Sequence, residues 1–225
     1  MKERLEKKKK MKIKLIAVMG MSASGKDYLV KSTLAHFPNL NLVVHYTTRP
    51  KRTGEVEGKN YFFVSKEYIE EKNKEGEIFS ITCFNDWYYA IGKDSFNVDK
   101  INIGVFNPEE LKLLIKEYSD IFDLYIIKTK APKKIRFERS LERLEPFDKI
   151  GLAELARREE ADIIDFSIDN IKEIPHNTLY TYGIDTNYSK YSNIFNEKVD
   201  GAQTYAEIYN EGYMAGLLSF LGYSD

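Results

Sequence analysis

A short segment near the start of the chain, residues 20–26, has the residue types and spacing of a phosphate-binding loop. It begins with a glycine, ends in Gly25-Lys26, and stands between a run of branched apolar residues and a helix-like segment. In that setting backbone N–H groups and the helix N-terminus face phosphate oxygens, and the lysine reaches the β- and γ-phosphates. The pattern predicts an ATP site. The competing interpretation is a glycine turn followed by a surface lysine. The predicted ATP-binding residues are Ser22, Ala23, Ser24, Gly25, Lys26 and Asp27.

Asp27 stands where a phosphate loop of this kind normally has a serine or threonine hydroxyl facing Mg²⁺. A carboxylate is also a hard oxygen donor, so one interpretation makes Asp27 a Mg²⁺ ligand, directly or through water. In the other, Asp27 only stabilises the positive end of the helix that follows. The residues favour both interpretations equally.

A second candidate anion site lies between Thr47 and Tyr61. Arg49 and Arg52 are three residues apart in a polar loop, and planar guanidinium groups suit phosphate oxygens. Glu55 is placed to hold one guanidinium, and Tyr61 can donate its hydroxyl. The competing interpretation is a solvated basic loop.

This second loop resembles the guanylate kinase signature. Two threonines, Arg49, Arg52, the Gly-Glu pair, a further glycine and Tyr61 occupy every fixed position of that signature, and Tyr89 resembles the second phosphate-binding tyrosine of the family. The resemblance covers roughly residues 12–187. It implies a nucleoside monophosphate kinase using ATP and Mg²⁺, with Arg49, Arg52, Tyr61 and Tyr89 forming a cup for the acceptor's phosphate.

The same resemblance implies an α/β fold of the P-loop NTPase type. Its doubly wound parallel sheet would carry an inserted β-rich nucleotide-monophosphate-binding subdomain at about 47–92 and a helical lid at about 133–165. Arg139 and Arg143, four apart and expected on one helical face, match the lid arginines, and Arg158 resembles a third. With Lys26 they form the implied catalytic set, which stabilises charge on the transferring phosphoryl group. A solvated, salt-bridged helix is the alternative.

The match fails around the acceptor's base. Aligned without gaps, the family's base-reading glutamate falls on Ser80, and two further base-reading hydroxyls fall on His45 and Ile91. The strand before Asn107 also lacks the family's Asp-x-Asp pair. Asp86, Asp94 or Glu77 are possible substitutes. We therefore expect a kinase for GMP, dGMP or another (deoxy)nucleoside monophosphate, with altered or relaxed base choice, as in virus-encoded deoxynucleotide kinases, which the Gly25-Lys26-Asp27 ending also resembles.

Hydrophobic periodicity supplies the elements that must position these residues. The predicted strands are 12–19, 42–46, 61–64, 78–84, 87–91, 101–106, 121–127 and 178–184. The predicted helices are one through Tyr28 to Phe37, 66–75, one starting at Pro108, one starting at Pro132, 152–165 and 203–221. Pro146 and Gly151 are expected to separate the two lid helices. Alternating strands and helices favour a doubly wound α/β core.

Composition limits the remaining possibilities. The 225 residues, 43% of them hydrophobic, allow one domain with a lid. Because 34 basic residues balance 35 acidic ones, we expect no nucleic-acid partner. The single cysteine, Cys83, and the absence of long apolar runs indicate a cytoplasmic protein without a membrane partner. Oligomeric state stays open between monomer and homodimer.

The two ends of the chain are expected to lie outside the kinase domain. Residues 1–11 are predicted to be a disordered basic leader, and residues 188–225 a helical extension. Tyr205, Ile208, Tyr209, Tyr213 and Leu217 are spaced as a core-facing stripe of that extension.

Two other functions compete with a nucleotide kinase. A non-catalytic guanylate-kinase-like binding scaffold would keep the cup but lose the phosphate loop, whereas this chain has Gly25 and Lys26. A kinase for a non-nucleotide acceptor is disfavoured because the loop from Thr47 to Tyr61 is so close to that of the nucleotide family.

Overall fold

The computed structural model describes residues 12–52, 54–84, 86–144, 149–180 and 205–223. The described chain forms two compact units. The first comprises the described parts of Met1–Ala17, Asn39–Gly104 and Glu109–Tyr125, and the second those of Val18–Pro38, Val105–Pro108 and Ile126–Asp225.

Strands and helices alternate along much of the chain, as predicted. The strands are β1 Ile13–Met19, β2 Asn41–Leu42, β3 Tyr46–Thr47, β4 Phe62–Phe63, β5 Ile78–Phe84, β6 Trp87–Gly92, β7 Asn102–Val105, β8 Phe122–Lys130 and β9 Asn177–Tyr180. The helices are α1 Lys26–His36, α2 Lys66–Lys74, α3 Pro108–Tyr118, α4 Lys133–Leu141, α5 Lys149–Asp165, α6 Ile168–Ile171 and α7 Tyr205–Phe220.

One sheet has the strand order β2-β7-β1-β8-β9, which requires crossover connections between strands. β2 pairs in parallel with β7, and β8 in parallel with β9. From Leu15 to Met19 every side chain of β1 is fully buried, because a parallel strand is covered on both faces. The predicted α/β class with a parallel sheet is confirmed.

The smaller sheet, in the first unit, has the order β4-β3-β6-β5. Tyr46 of β3 is directly opposite Ala90 of β6, and it packs with Ile69 of α2 and Ile78 in a buried cluster. Thr47, the next residue of β3, is opposite Tyr89. Since successive side chains of a strand point to opposite faces, α2 covers one face and Tyr89 lies on the other.

Among the element boundaries that differ from the prediction, two have a plain physical reason. The run 42–46 is not one strand, because its ends belong to different sheets: Leu42 pairs with Ile103, and Tyr46 pairs with Phe62. An apolar run shows burial but not which sheet buries it. Gly151 does not precede the second lid helix but lies inside α5. A glycine costs a helix only about 1 kcal/mol relative to alanine, so neighbouring contacts readily outweigh it.

The terminal helix also differs from the prediction in its buried face. Met214, Leu218 and Leu221 are buried, whereas Tyr213 and Leu217 are half-buried, so the stripe lies one residue further along the chain. The side chains of residues 205–211, Pro146, residues 181–204 and the leader 1–11 lie outside the described residues, and the predictions made for them stay predictions. Among the helices that are described, none has both the length and the apolar character needed to cross a membrane.

Candidate functional site

The predicted phosphate loop connects β1 to α1 within the second unit. Ala23 has a φ of 57° and Gly25, which caps α1, has a φ of 93°, so the backbone twice adopts the left-handed conformation. At Gly20 a Cβ would collide with the hydroxyl groups of Thr129 and Ser24. The first glycine is thus required by close packing and Gly25 by its backbone conformation.

Ser24 holds the loop together with its side chain. Its hydroxyl is 2.7 Å from that of Thr129, which also donates to the Met19 carbonyl at 3.3 Å, and Ser24 is 1% exposed. The Ser24 N–H donates to the Met21 carbonyl at 3.2 Å. Of the predicted ATP-binding residues, Ser24 therefore contributes internal bonds to the loop.

Lys26 and Asp27 open α1. The Lys26 ammonium group donates to the Met21 carbonyl at 3.4 Å, which keeps it next to the loop. Asp27 is exposed in the first turn of the helix. Among the described residues no group of three or more histidine, cysteine or acidic side chains could hold a metal ion. An exposed single carboxylate fits Mg²⁺, which takes few protein ligands and completes its shell with phosphate oxygens and water.

The three predicted lid arginines have different positions. Arg139 of α4 donates from Nη1 to the Ala23 carbonyl at 2.9 Å, so it contacts the phosphate loop. Arg143 does not share a helical face with it, because α4 ends at Leu141 and Arg143 lies exposed in the following turn. Arg158 donates from Nε to Glu154 at 2.9 Å, on the same helix α5.

The loop is also hydrogen-bonded to a carboxylate that the sequence did not reveal. Asp162 of α5 accepts a hydrogen bond from the Ser22 N–H, with 2.6 Å between nitrogen and Oδ2. An acidic residue in a highly charged helix looks like part of a solvated surface, and nothing in its spacing indicates a partner more than a hundred residues away.

The predicted acceptor cup lies in the first unit and is built around Arg49. Arg49 is 3% exposed, and its Nη2 donates to Oε1 of Glu55 at 2.6 Å. The second oxygen of Glu55 accepts the backbone N–H of Arg52 at 2.7 Å. Burial disfavours both charges, but the hydrogen bond between them raises the pKa of Arg49 and lowers the pKa of Glu55, so the pair is ionised at neutral pH.

Aromatic rings complete the cup. The Arg49 guanidinium carbon is 5.5 Å from the centre of the Tyr61 ring and 5.8 Å from that of Phe63, within cation–π range. The rings of Tyr61 and Tyr89 are 5.9 Å apart. Three of the four predicted cup residues, Arg49, Tyr61 and Tyr89, are thus brought together, and the loop holding Arg52 is tied to them through Glu55.

The three predicted base-reading positions are buried in the first unit. Ser80 of β5 is directly opposite Ile91 of β6, on the face that also carries Tyr89. His45 precedes β3 and has Nδ1 3.6 Å from Oε1 of Glu110. Burial lowers the pKa of His45 to about 4, so its imidazole is neutral at neutral pH and the contact is no ion pair. Glu110, 3% exposed, was not among the predicted residues.

Comparison with known proteins shows which family this chain is similar to. A family model described as guanylate kinase matches residues 12–103. The guanylate kinase of Clostridioides difficile is 42% identical over 79 residues, covering 35% of this chain and 38% of that protein. The guanylate kinase of Prochlorococcus marinus strain MIT 9312 is 30% identical over 165 residues, covering 70% of this chain and 89% of that protein. The chain belongs to the guanylate kinase family.

Similarity within the guanylate kinase family is uneven along the chain. The match to the guanylate kinase of Symbiobacterium thermophilum, at 47% identity, covers only 34% of that protein. The chain thus spans well under two thirds of the length of the C. difficile and S. thermophilum guanylate kinases. A crystal structure of guanylate kinase from Anaplasma phagocytophilum aligns with 95% of this chain and 97% of its own at a TM-score of 0.46 and 19% identity, and this likeness adds nothing to the assignment.

For this guanylate kinase family member, two of the suggested substitute acids are poorly placed for the base. Asp94 accepts hydrogen bonds from the Tyr46 hydroxyl at 2.6 Å and from Lys72 at 2.9 Å, on the face that α2 covers. Asp86 is exposed, with a φ of 60°, in the turn between β5 and β6. Glu110, by contrast, does contact a predicted base-reading side chain, at 3.6 Å from Nδ1 of His45.

Proposed function

We propose that this chain is an ATP-dependent nucleoside monophosphate kinase whose acceptor is GMP, dGMP or another (deoxy)nucleoside monophosphate. The observation that carries the proposal is the buried Arg49, held by Glu55 against Tyr61 in a chain that also has the phosphate loop ending in Gly25-Lys26. A buried guanidinium fixed on one side offers its remaining donors to a phosphate in a set geometry.

The reaction is an in-line displacement at the γ-phosphorus of ATP. An oxygen of the acceptor's phosphate attacks that phosphorus, the bond to the β,γ-bridging oxygen breaks, and ADP leaves. Lys26 holds the β- and γ-phosphates, and Arg139, next to Ala23, stabilises the charge on the transferring group. Mg²⁺ would neutralise part of the charge on the phosphates when held by Asp27. Arg143 and Arg158 are proposed to stabilise the charge on the transferring group together with Arg139.

Base recognition is proposed to be altered or relaxed relative to the family. None of His45, Ser80 and Ile91 offers the paired acceptor oxygens of a carboxylate, and guanine presents two neighbouring donors that need them. A pocket that leaves donors unpaired discriminates poorly between bases.

ADP release tests the proposal. Wild-type protein with ATP and Mg²⁺ is expected to release ADP only when a nucleoside monophosphate from a ribo- and deoxynucleotide panel is present. Lys26→Ala is expected to lose at least about a hundredfold in rate. The matched control is Lys31→Ala, since Lys31 is exposed further along the same helix.

Two outcomes would contradict the proposed function, in whole or in part. Equal release by wild type and Lys26→Ala would remove the kinase function and favour the non-catalytic scaffold. Activity confined to GMP and dGMP would keep the kinase but remove the altered base choice.

A further inference from the structure

The phosphate loop is held from one side by a carboxylate. Asp162 of α5 is 8% exposed, and its Oδ2 lies 2.6 Å from the backbone nitrogen of Ser22. A hydrogen bond from a backbone N–H to a carboxylate at this distance is charge-assisted and among the stronger kinds in proteins. Because Asp162 and the loop are far apart in sequence, the bond ties the loop directly to the lid segment.

Asp162 is itself held in place by neighbouring charges. Arg136 of α4, 6% exposed, donates from Nη1 and Nη2 to the two oxygens of Glu159 at 3.0 and 3.2 Å. The same Nη1 is 3.7 Å from Asp162 Oδ2. Burial raises the pKa of Asp162, opposed by its bonds to Ser22 and by the charges of Lys26 and Arg136. A side chain fixed by a buried cation can define the position of the N–H that it binds.

The loop needs such anchoring because its conformation is costly. Ala23, directly after Ser22, carries a side chain at a positive φ, which surrounding contacts must maintain. Such contacts include the Ser24–Thr129 hydroxyl bond, the Arg139 bond to the Ala23 carbonyl, and the Asp162 bond to Ser22. Of these contacts, the bond to Asp162 is the one in which a backbone N–H of the loop is the donor.

We propose that Asp162 is a positioning residue, which fixes the first half of the phosphate loop from α5 in the conformation that binds the donor nucleotide. The inference rests on the proposed function in taking ATP as the donor. It predicts that loss of the acceptor oxygen weakens donor binding and leaves acceptor binding unchanged. The opposite role, in which the carboxylate competes with phosphate for the loop, predicts tighter donor binding when the carboxylate is removed.

The test compares Asp162→Ala with Asp162→Asn in the full chain. The asparagine carbonyl can accept the same N–H, whereas alanine cannot. Asp162→Ala is expected to weaken binding of MgADP, measured by calorimetry, roughly tenfold, the effect of losing one hydrogen bond to a charged group. Asp162→Asn is expected to stay within about threefold of wild type. In kinetics the KM for ATP should rise in Asp162→Ala without a change in the KM for the acceptor.

Glu160→Ala is the matched control, because Glu160 is exposed on the same helix. MgADP binding by Asp162→Ala that equals or exceeds that of wild type overturns the proposal, and so does an Asp162→Asn protein as weak as Asp162→Ala. If Asp162→Ala does not fold, amide hydrogen exchange of wild type decides, since a Ser22 N–H that exchanges as fast as an open loop has no such bond. Wild type that binds MgADP but phosphorylates no acceptor contradicts the proposed function and leaves this binding test intact.

Discussion

Replacing Glu55 with glutamine is expected to loosen the acceptor cup, because both carboxylate oxygens are in use. Oε1 accepts from Arg49 at 2.6 Å and Oε2 accepts the Arg52 N–H at 2.7 Å. Glutamine has one acceptor oxygen, so its amide NH₂ must face one of these two donors. Leaving a donor of a buried, charged group unsatisfied costs about 1–3 kcal/mol. Where the amide faces Arg49, which is buried, solvent does not relieve this cost. Where it faces the Arg52 N–H, Arg49 keeps an acceptor but loses the opposite charge that orients it.

Two measurements check this effect. Urea unfolding should show a loss of about 1–3 kcal/mol, and steady-state ADP release should show a KM for the acceptor raised about tenfold with the KM for ATP within about twofold of wild type. Glu57→Gln is the matched control: Glu57 is exposed, and its two oxygens share the single N–H of Phe63 at 3.3 Å. A Glu55→Gln protein with wild-type stability and acceptor KM would show that Glu55 does not fix the cup.

Two further predictions concern buried positions. Gly20→Ala is expected to lower the free energy of unfolding by about 1–3 kcal/mol, because the added methyl group overpacks against Thr129. Gly216→Ala, where the helix surface is open, should be neutral or slightly stabilising. Equal denaturation midpoints for the two variants would contradict the overpacking. Burial lowers the pKa of His45 from 6.5 to about 4, so between pH 6.5 and pH 4 its imidazole binds a proton only after unfolding. The free energy of unfolding therefore decreases as the pH falls through that window, by about 3 kcal/mol at most. His45→Gln should therefore lose less stability than wild type between pH 7 and pH 4.5, and parallel pH profiles would contradict this.

Local patterns in the sequence predicted much of the fold and the two segments that form the candidate phosphate sites. The phosphate loop is contiguous, and Gly25 is fixed by a backbone conformation that any chain making this turn must adopt. Arg49 and Glu55 are likewise six residues apart in one loop, so their contact follows from the spacing. Strands such as β5, Ile78–Phe84, were predicted to the residue because their apolar runs end at polar turn residues.

What the sequence did not predict depends on contacts between distant segments. Asp162 meets Ser22 only after α5 has packed, and Glu110 meets His45 only once α3 and the small sheet are in place. The end of α4 at Leu141 was not predicted either, since Glu142 and Arg143 are good helix formers. The expected pairing of Arg139 and Arg143 on one face assumed that propensity alone decides where a helix stops.

For the proposed kinase, the distribution of charge in the first unit favours binding of the acceptor through its phosphate more than through its base. Arg49 is charged, buried and oriented by an ionised carboxylate, so its remaining donors can form charge-assisted hydrogen bonds with a phosphate. At the base-reading positions, by contrast, His45 is neutral and Ser80 supplies one hydroxyl. Neutral single hydrogen bonds contribute about 0.5–1.5 kcal/mol each, and charge-assisted bonds about twice that. Bases that differ in one donor or acceptor should accordingly differ by about tenfold or less in kcat/KM, while loss of the charged cup should affect every acceptor alike.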